Sequence, residues 1–249
     1  MPAFHFTPDA RAQLIPTGVL RAAINFGNPI LAKRDPLTGE PAGVSVDLAR
    51  KLAALLDAPI QFVLYDAAGE VVAGCERGEW DVAFVARDPV RGKGIEQTLP
   101  YILIEGAYLV PEDSAIRANE DVDVSGNRIV VGKGSAYDLF LTRTLRHATL
   151  VRTLTSPEVA PTMRAEKFEV AAGVRQQLES DALRLGGLRM LPERFMVIEQ
   201  AMGTPKGRSA AARLLEDFVA SMLESDCVAA ALAAHDVAGA IVATHARVG

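Results

Sequence analysis

Arg91 is the residue whose type and setting best fit a chemical task. It stands a few residues beyond a short apolar run at 81–85, just after the turn signal Asp88-Pro89. A guanidinium is a planar fork of N–H donors that meets a carboxylate through two parallel hydrogen bonds. A surface arginine paired with Asp88 is the plainer reading, and Arg87 places a second cation nearby. Gly132-Lys133-Gly134-Ser135 is a second candidate. It follows an expected strand and opens an expected helix, where backbone N–H groups without helical partners attract anions. A phosphate loop fails on spacing, because that motif needs four residues between its first glycine and the Gly-Lys-Ser/Thr end. Ser135 suits an ordinary helix N-cap as well as an anion contact, and it can be both.

Asn25-Phe26-Gly27-Asn28-Pro29 ends the first expected strand. At the carboxyl end of a parallel strand, side chains face a ligand crevice. Phe26 is then either a ligand platform or core, and Asn28 either a polar contact or a turn residue. Tyr65 and Asp66 hold the same place after the second strand, with a weaker claim. The search for catalysis is mostly negative. His5, His147, His235 and His245 show no metal spacing, and there is neither a G-x-S-x-G elbow nor a dinucleotide fingerprint. No cofactor and no metal are expected. Glu105 and Glu199 fall on expected strands. Either could be a general acid if burial raised its pKa, or a structural hydrogen-bonding group.

The elements that must position these residues alternate. Residues 19–26 form an apolar run ended by Gly27, Asn28 and Pro29, and a tight turn follows at 35–39. The next helix has Ser45 as its expected cap, Asp47 in its first turn, an apolar face of Leu48, Leu52, Leu55 and Leu56, and Pro59 as its stop. A strand at 60–64, a helix at 67–77 and the strand at 81–85 complete a βαβαβ run, which demands a parallel sheet with helical crossovers. A Thr98-Leu99-Pro100-Tyr101 corner precedes a strand at 104–110. After a polar stretch at 112–127 the alternation restarts. Strands are expected at 128–132, 149–153 and 168–173, with helices at 136–146, 157–167 and 175–185. A strand at 194–202 and helices at 210–223 and 227–234 close the chain. The two runs predict two α/β lobes, with no sequence repeat between them.

The chain has 249 residues, a net charge of −5 and 49% hydrophobic residues. That is ample for a buried core, and the mild acidity argues against a nucleic-acid surface. No apolar run reaches membrane-spanning length. The first residues lack the basic and apolar regions of a secretory signal, so the expectation is either a signal removed from this chain or a cytoplasmic protein. Cys75 and Cys227 lie far apart and read as separate small hydrophobes.

The order from Gly78 to Val110 (helix end, strand, turn, arginine, strand) resembles the family 3 extracellular solute-binding proteins, receptors for polar amino acids and related small acids. The resemblance covers roughly 17–240. It implies a two-lobe α/β fold of the periplasmic-binding-protein type 2 kind. Lobe 1 would take 1–105 and 199–249, lobe 2 would take 106–198, and two crossover strands would join them. It also implies lobes that close on ligand by hinge bending, a monomer, a periplasmic setting and an ABC permease as partner. In the family one arginine after that strand holds a ligand carboxylate, assisted by the backbone N–H five residues earlier. Those positions are Arg91 and Ala86. A second-lobe Gly-Thr-Thr turn takes the other face of the carboxylate. Ser135 and Ala136 replace its two threonines, so one hydroxyl contact is missing. The first-strand loop supplies an aromatic and a polar contact, which makes Asn25, Phe26 and Asn28 candidates.

One position departs from the family pattern. Amino-acid receptors of the family often carry an aspartate after the strand at 168–173, to pair with the ligand ammonium. Val174 stands there, followed by Arg175. That favours a carboxylate or dicarboxylate over an amino acid, with Arg175 either a second anion contact or a solvated helix residue. Two alternatives remain within the resemblance: a lyase like the cyclohexadienyl dehydratases on the same fold, and a non-secreted sensor module.

Overall fold

In the computed structural model, residues 6–244 are described. In chain order they form α1 (Pro8–Leu14), β1 (Leu20–Asn25), a hairpin of β2 (Lys33–Arg34) and β3 (Pro41–Ala42), α2 (Val44–Leu55), β4 (Ile60–Tyr65), α3 (Ala68–Glu76), β5 (Val82–Ala86) and a long β6 (Ile95–Pro111). Then come β7 (Arg128–Gly132), α4 (Ala136–Thr144), β8 (Thr149–Thr153), α5 (Val159–Ala165), β9 (Val170–Val174), α6 (Arg175–Leu185), a long β10 (Leu188–Pro205), α7 (Ser209–Glu224), α8 (Cys227–Ala234) and β11 (Ile241–Val242).

The chain divides into two compact units. The first takes the chain up to Tyr65, Glu70–Leu103 and the chain from Glu199 onward; the second takes Asp66–Gly69 and Ile104–Ile198. In the first unit β1 lies parallel to β4 and to β5, and β10 adds an antiparallel strand against β5. The second unit repeats the plan: β7 lies parallel to β8 and β9, and β6 runs antiparallel to β9. The βαβ alternation in the sequence requires the parallel core of each sheet. The antiparallel strand in each comes from one of the two long strands.

Each unit anchors its sheet in the same way. At the start of β1, Arg21 grips Asp81 with Nε and Nη2, both at 2.8 Å, and gives Nη1 to the Gly78 carbonyl. At the start of β7, Arg128 grips Glu169 at 2.9 and 2.7 Å and donates to the Lys167 carbonyl. Each is a two-pronged arginine–carboxylate pair between the first and third strands of a βαβαβ run. Asp81 is fully buried and also receives Arg208 at 2.9 Å. Helix α2 buries Leu48 and Leu52 against the first sheet, with Leu56 just beyond its end. Trp80 is fully buried and gives its indole N–H to the Val71 carbonyl. The core of the second unit gathers Leu109, Val130, Val159, Met163, Ala171 and Leu178.

Three local expectations are corrected. Ser45 does not cap α2: it lies inside the helix, and Gly43 is the N-cap with φ +125°. A Cβ at position 43 would stand 2.5 Å from the Leu31 carbonyl oxygen, so close backbone packing and not a hydroxyl decides this helix start. The Thr98–Tyr101 corner does not interrupt the chain, since β6 runs through it as one strand. The Thr98 hydroxyl accepts the Met202 N–H at 3.1 Å, which holds the strand in place across its proline. The helix expected at 157–167 opens with a 3-10 turn, Ser156–Glu158, and ends at Ala165 because Lys167 takes a left-handed φ of +53°. Both cysteines are free.

Candidate functional site

In the first unit the candidates collect after β1 and β5. Strand β5 is buried along its whole length and ends at Ala86. A tight turn then brings the chain back. The Asp88 carboxylate accepts the Val90 N–H at 2.8 Å, and Arg91 opens a short 3-10 turn. Arg91 is 2% exposed, and its Nη1 donates to the Ala86 carbonyl at 3.1 Å. Burial pulls its pKa down to about 10, against the opposing pull of Asp88, and the group stays charged at neutral pH. A buried guanidinium is stable beside an anion and costly beside apolar atoms. Arg87 differs: its side chain is 43% exposed and pairs with Glu199 at 3.3 Å.

The loop after β1 is a built turn. Asn25 accepts the Gly27 N–H through Oδ1, the Phe26 N–H bonds the Tyr65 carbonyl, and the Asn28 carbonyl takes the amides of Leu31 and Ala32. Asn25 is therefore turn-forming. The Asn28 side-chain oxygen is buried and has no hydrogen-bond partner among the described residues. Phe26 is half-buried, with the Arg34 guanidinium 4.5 Å from its ring centroid. Tyr65 is buried and donates its hydroxyl to Glu79 at 2.7 Å; burial, ahead of that bond, pushes its pKa up. That uses its polar end within the first unit.

In the second unit Ser135 is the N-cap of α4. Its Oγ accepts the Asp138 N–H at 3.1 Å, and the residue is 5% exposed. The buried Asp138 carboxylate reaches back to the Gly134 N–H at 2.8 Å and also accepts Thr142 and Arg152. Gly134 has φ +70°, a conformation that suits glycine. Ala136 opens α4 with no polar side chain to offer. Arg175 starts α6 with its Nε on Glu105 at 2.7 Å and an Nη on the Pro192 carbonyl. Arg194 joins the same glutamate at 3.1 Å. The arginine singled out as an anion contact is thus held by a carboxylate of its own unit.

Three participants escaped the sequence reading. Gln97 ties the β5 end to the Arg91 turn, accepting the Asp88 N–H through Oε1 and donating Nε2 to the Ala86 carbonyl. Nothing local in the sequence marks it. Asp138 stands three residues after the Ser135 cap, at the position of a capping-box acid, but bonds the Gly134 N–H and not that of Ser135. Arg34 sits on a hairpin that the sequence reads only as a turn. Among the described residues no group of three or more His, Cys, Asp or Glu side chains could hold a metal, and no helix is long and apolar enough to cross a membrane.

The model of the bacterial extracellular solute-binding proteins, family 3, matches residues 28–234. No curated protein sequence matches the chain. Solved structures do. The solute receptor for L-cysteine of Neisseria gonorrhoeae aligns with a TM-score of 0.78 at 20% identity, over 90% of this chain and 92% of that one. A histidine kinase sensor domain with similarity to periplasmic binding proteins gives 0.77 at 18%, over 90% and 98%. An ancestral amino-acid-binding protein, a precursor of cyclohexadienyl dehydratase, gives 0.73 at 18%, over 89% and 96%. At these identities the likeness carries the fold, which is the two-lobe periplasmic-binding-protein type 2 fold.

Proposed function

Because the chain belongs to the bacterial extracellular solute-binding proteins, family 3, we propose that it is a receptor for a small organic anion, held by its carboxylate and delivered outside the cytoplasm to an ABC-type permease. The observation that carries this reading is Arg91: a charged guanidinium, 2% exposed, at the end of a buried strand. Ser135 and the start of α4 supply a second set of donors, and Phe26 and Asn28 shape the rest. Ala86 contributes its backbone N–H, while its carbonyl keeps the arginine in place.

The ligand class follows from charge. Val174 stands where an ammonium partner would, and Arg175 beside it is matched by Glu105. An ammonium taken out of water without a counter-charge is costly. A deaminated acid should therefore bind at least as well as its amino acid. Calorimetry on glutarate against glutamate tests this; consistently tighter binding of the amino acids would overturn it. The anchor is tested by Arg91→Ala, which should cost about 2–5 kcal/mol of binding. Arg91→Lys should also weaken binding, since an ammonium cannot reproduce the fork. Unchanged affinity would remove Arg91 from the site. Compaction on ligand binding, read by small-angle scattering, tests the expectation of hinge closure.

A lyase reading has less support. Glu105 carries two arginines and Glu199 one, so both carboxylates already serve ion pairs. Loss of ligand mass on incubation would favour the enzyme, because a receptor returns its ligand unchanged. The sensor-domain likeness favours a second binding role, a ligand-sensing module within a larger protein. Co-purification with a kinase rather than a permease would distinguish it.

A further inference from the structure

We infer that Arg34 is a specificity-determining residue that reads a second anionic group on the ligand, so that the preferred solute is a doubly charged acid such as a dicarboxylate. This rests on the carboxylate-receptor reading above. Arg34 lies on the β2–β3 hairpin, paired with Pro41 across it, and its guanidinium carbon lies over the Phe26 ring, 4.5 Å from the centroid. Phe26 follows the last residue of β1, at the strand end where ligands approach. A guanidinium over a ring is attracted by the ring's electron-rich face, and its N–H donors can still serve a second anion. The side chain is exposed, and among the described residues no carboxylate pairs with it. The nearest acid in sequence is already engaged. Asp35 accepts the Leu37 and Thr38 amides at 2.9 Å and the Thr38 hydroxyl at 3.1 Å, which holds the hairpin tip. The hairpin thus presents an unmatched cation over the aromatic of the candidate site. In the carboxylate-receptor reading Arg91, in the turn after β5, takes the first carboxylate.

The test is calorimetry with two probes of equal chain length, glutarate and pentanoate, on the wild type, Arg34→Gln, Arg34→Lys and Arg91→Gln. The wild type should prefer glutarate about ten- to a hundredfold, the span of one hydrogen bond to a charged group. Arg34→Gln should lower glutarate affinity to that of pentanoate and leave pentanoate unchanged. Arg34→Lys should recover part of the preference. Because Arg34 is exposed, a matching melting temperature in Arg34→Gln confirms an intact fold. Equal loss of both probes, no loss of either, or a wild type that binds pentanoate as tightly as glutarate overturns the inference. Arg91→Gln separates it from the reading beneath: loss of both probes there sustains the carboxylate anchor whatever Arg34 does. Unchanged binding of both probes to Arg91→Gln removes that anchor.

Discussion

Ser135→Ala separates a helix cap from a ligand contact, because the two roles predict different pairs of measurements. The residue is 5% exposed, and its Oγ accepts the N–H of Asp138, itself 4% exposed. Alanine removes the acceptor and leaves a buried amide unmatched, which should cost about 1–2 kcal/mol. In a chain of this length that is a fall of roughly 2–8 °C in melting temperature. If capping is the whole role, the same fall appears with and without the best carboxylate found by a thermal-shift screen. If Ser135 also donates to a bound carboxylate, affinity drops by a further ~1.5–3 kcal/mol, the worth of a hydrogen bond to a charged group. At a ligand concentration of 100 times the wild-type dissociation constant, stabilisation by ligand should then shrink from about 2.7 kcal/mol to about 0.3–1.3 kcal/mol. Urea unfolding of both proteins, with and without ligand, measures all four states. A variant as stable as the wild type would refute the cap argument, and an unchanged ligand increment would take Ser135 out of the site.

Other outcomes follow from particular contacts. Asp81→Asn should destabilise the first unit by about 3–5 kcal/mol, because it strips a buried carboxylate from Arg21 and Arg208; urea denaturation checks this. Gly43→Ala should lower the melting temperature, since its φ of +125° disfavours a side chain and the new Cβ meets backbone at 2.5 Å. Hydrogen bonds first from Arg77 and then from Tyr65 hold the Glu79 carboxyl down at about 2, below its ordinary 4.5. A carboxylate lowered in this way stabilises the fold fully above pH 4.5, and the contribution is lost as pH falls toward 2. The stability gap between wild type and Glu79→Gln should therefore be constant near neutrality and close in acid, as acid titration of the fold would show.

The alternation of strands and helices follows from the sequence alone. A parallel strand needs a crossover, and an amphipathic crossover helix reveals itself by its apolar period, as Leu48 and Leu52 do in α2. Arg91 was legible for a related reason: strand, turn and arginine are neighbours in the chain, so local order brings them together. The Ser135 cap was legible because a helix start is a local event of a few residues, and the fold places its Oγ on the Asp138 N–H. The partners were decided by tertiary structure. Ser45 has the right chemistry for a cap, yet the packing of Gly43 against Leu31 set the helix start elsewhere. Arg175 could not be told from a solvated residue until the fold brought Glu105, seventy positions away, to 2.7 Å. Arg34 and Phe26 are eight residues apart with a turn between them, and no period links them; only the folded hairpin lays one over the other. Hydrophobic period and turn chemistry act over a few residues and so are written in the chain. Charge pairing and stacking act through space, so the chain alone leaves each charged group with several possible partners.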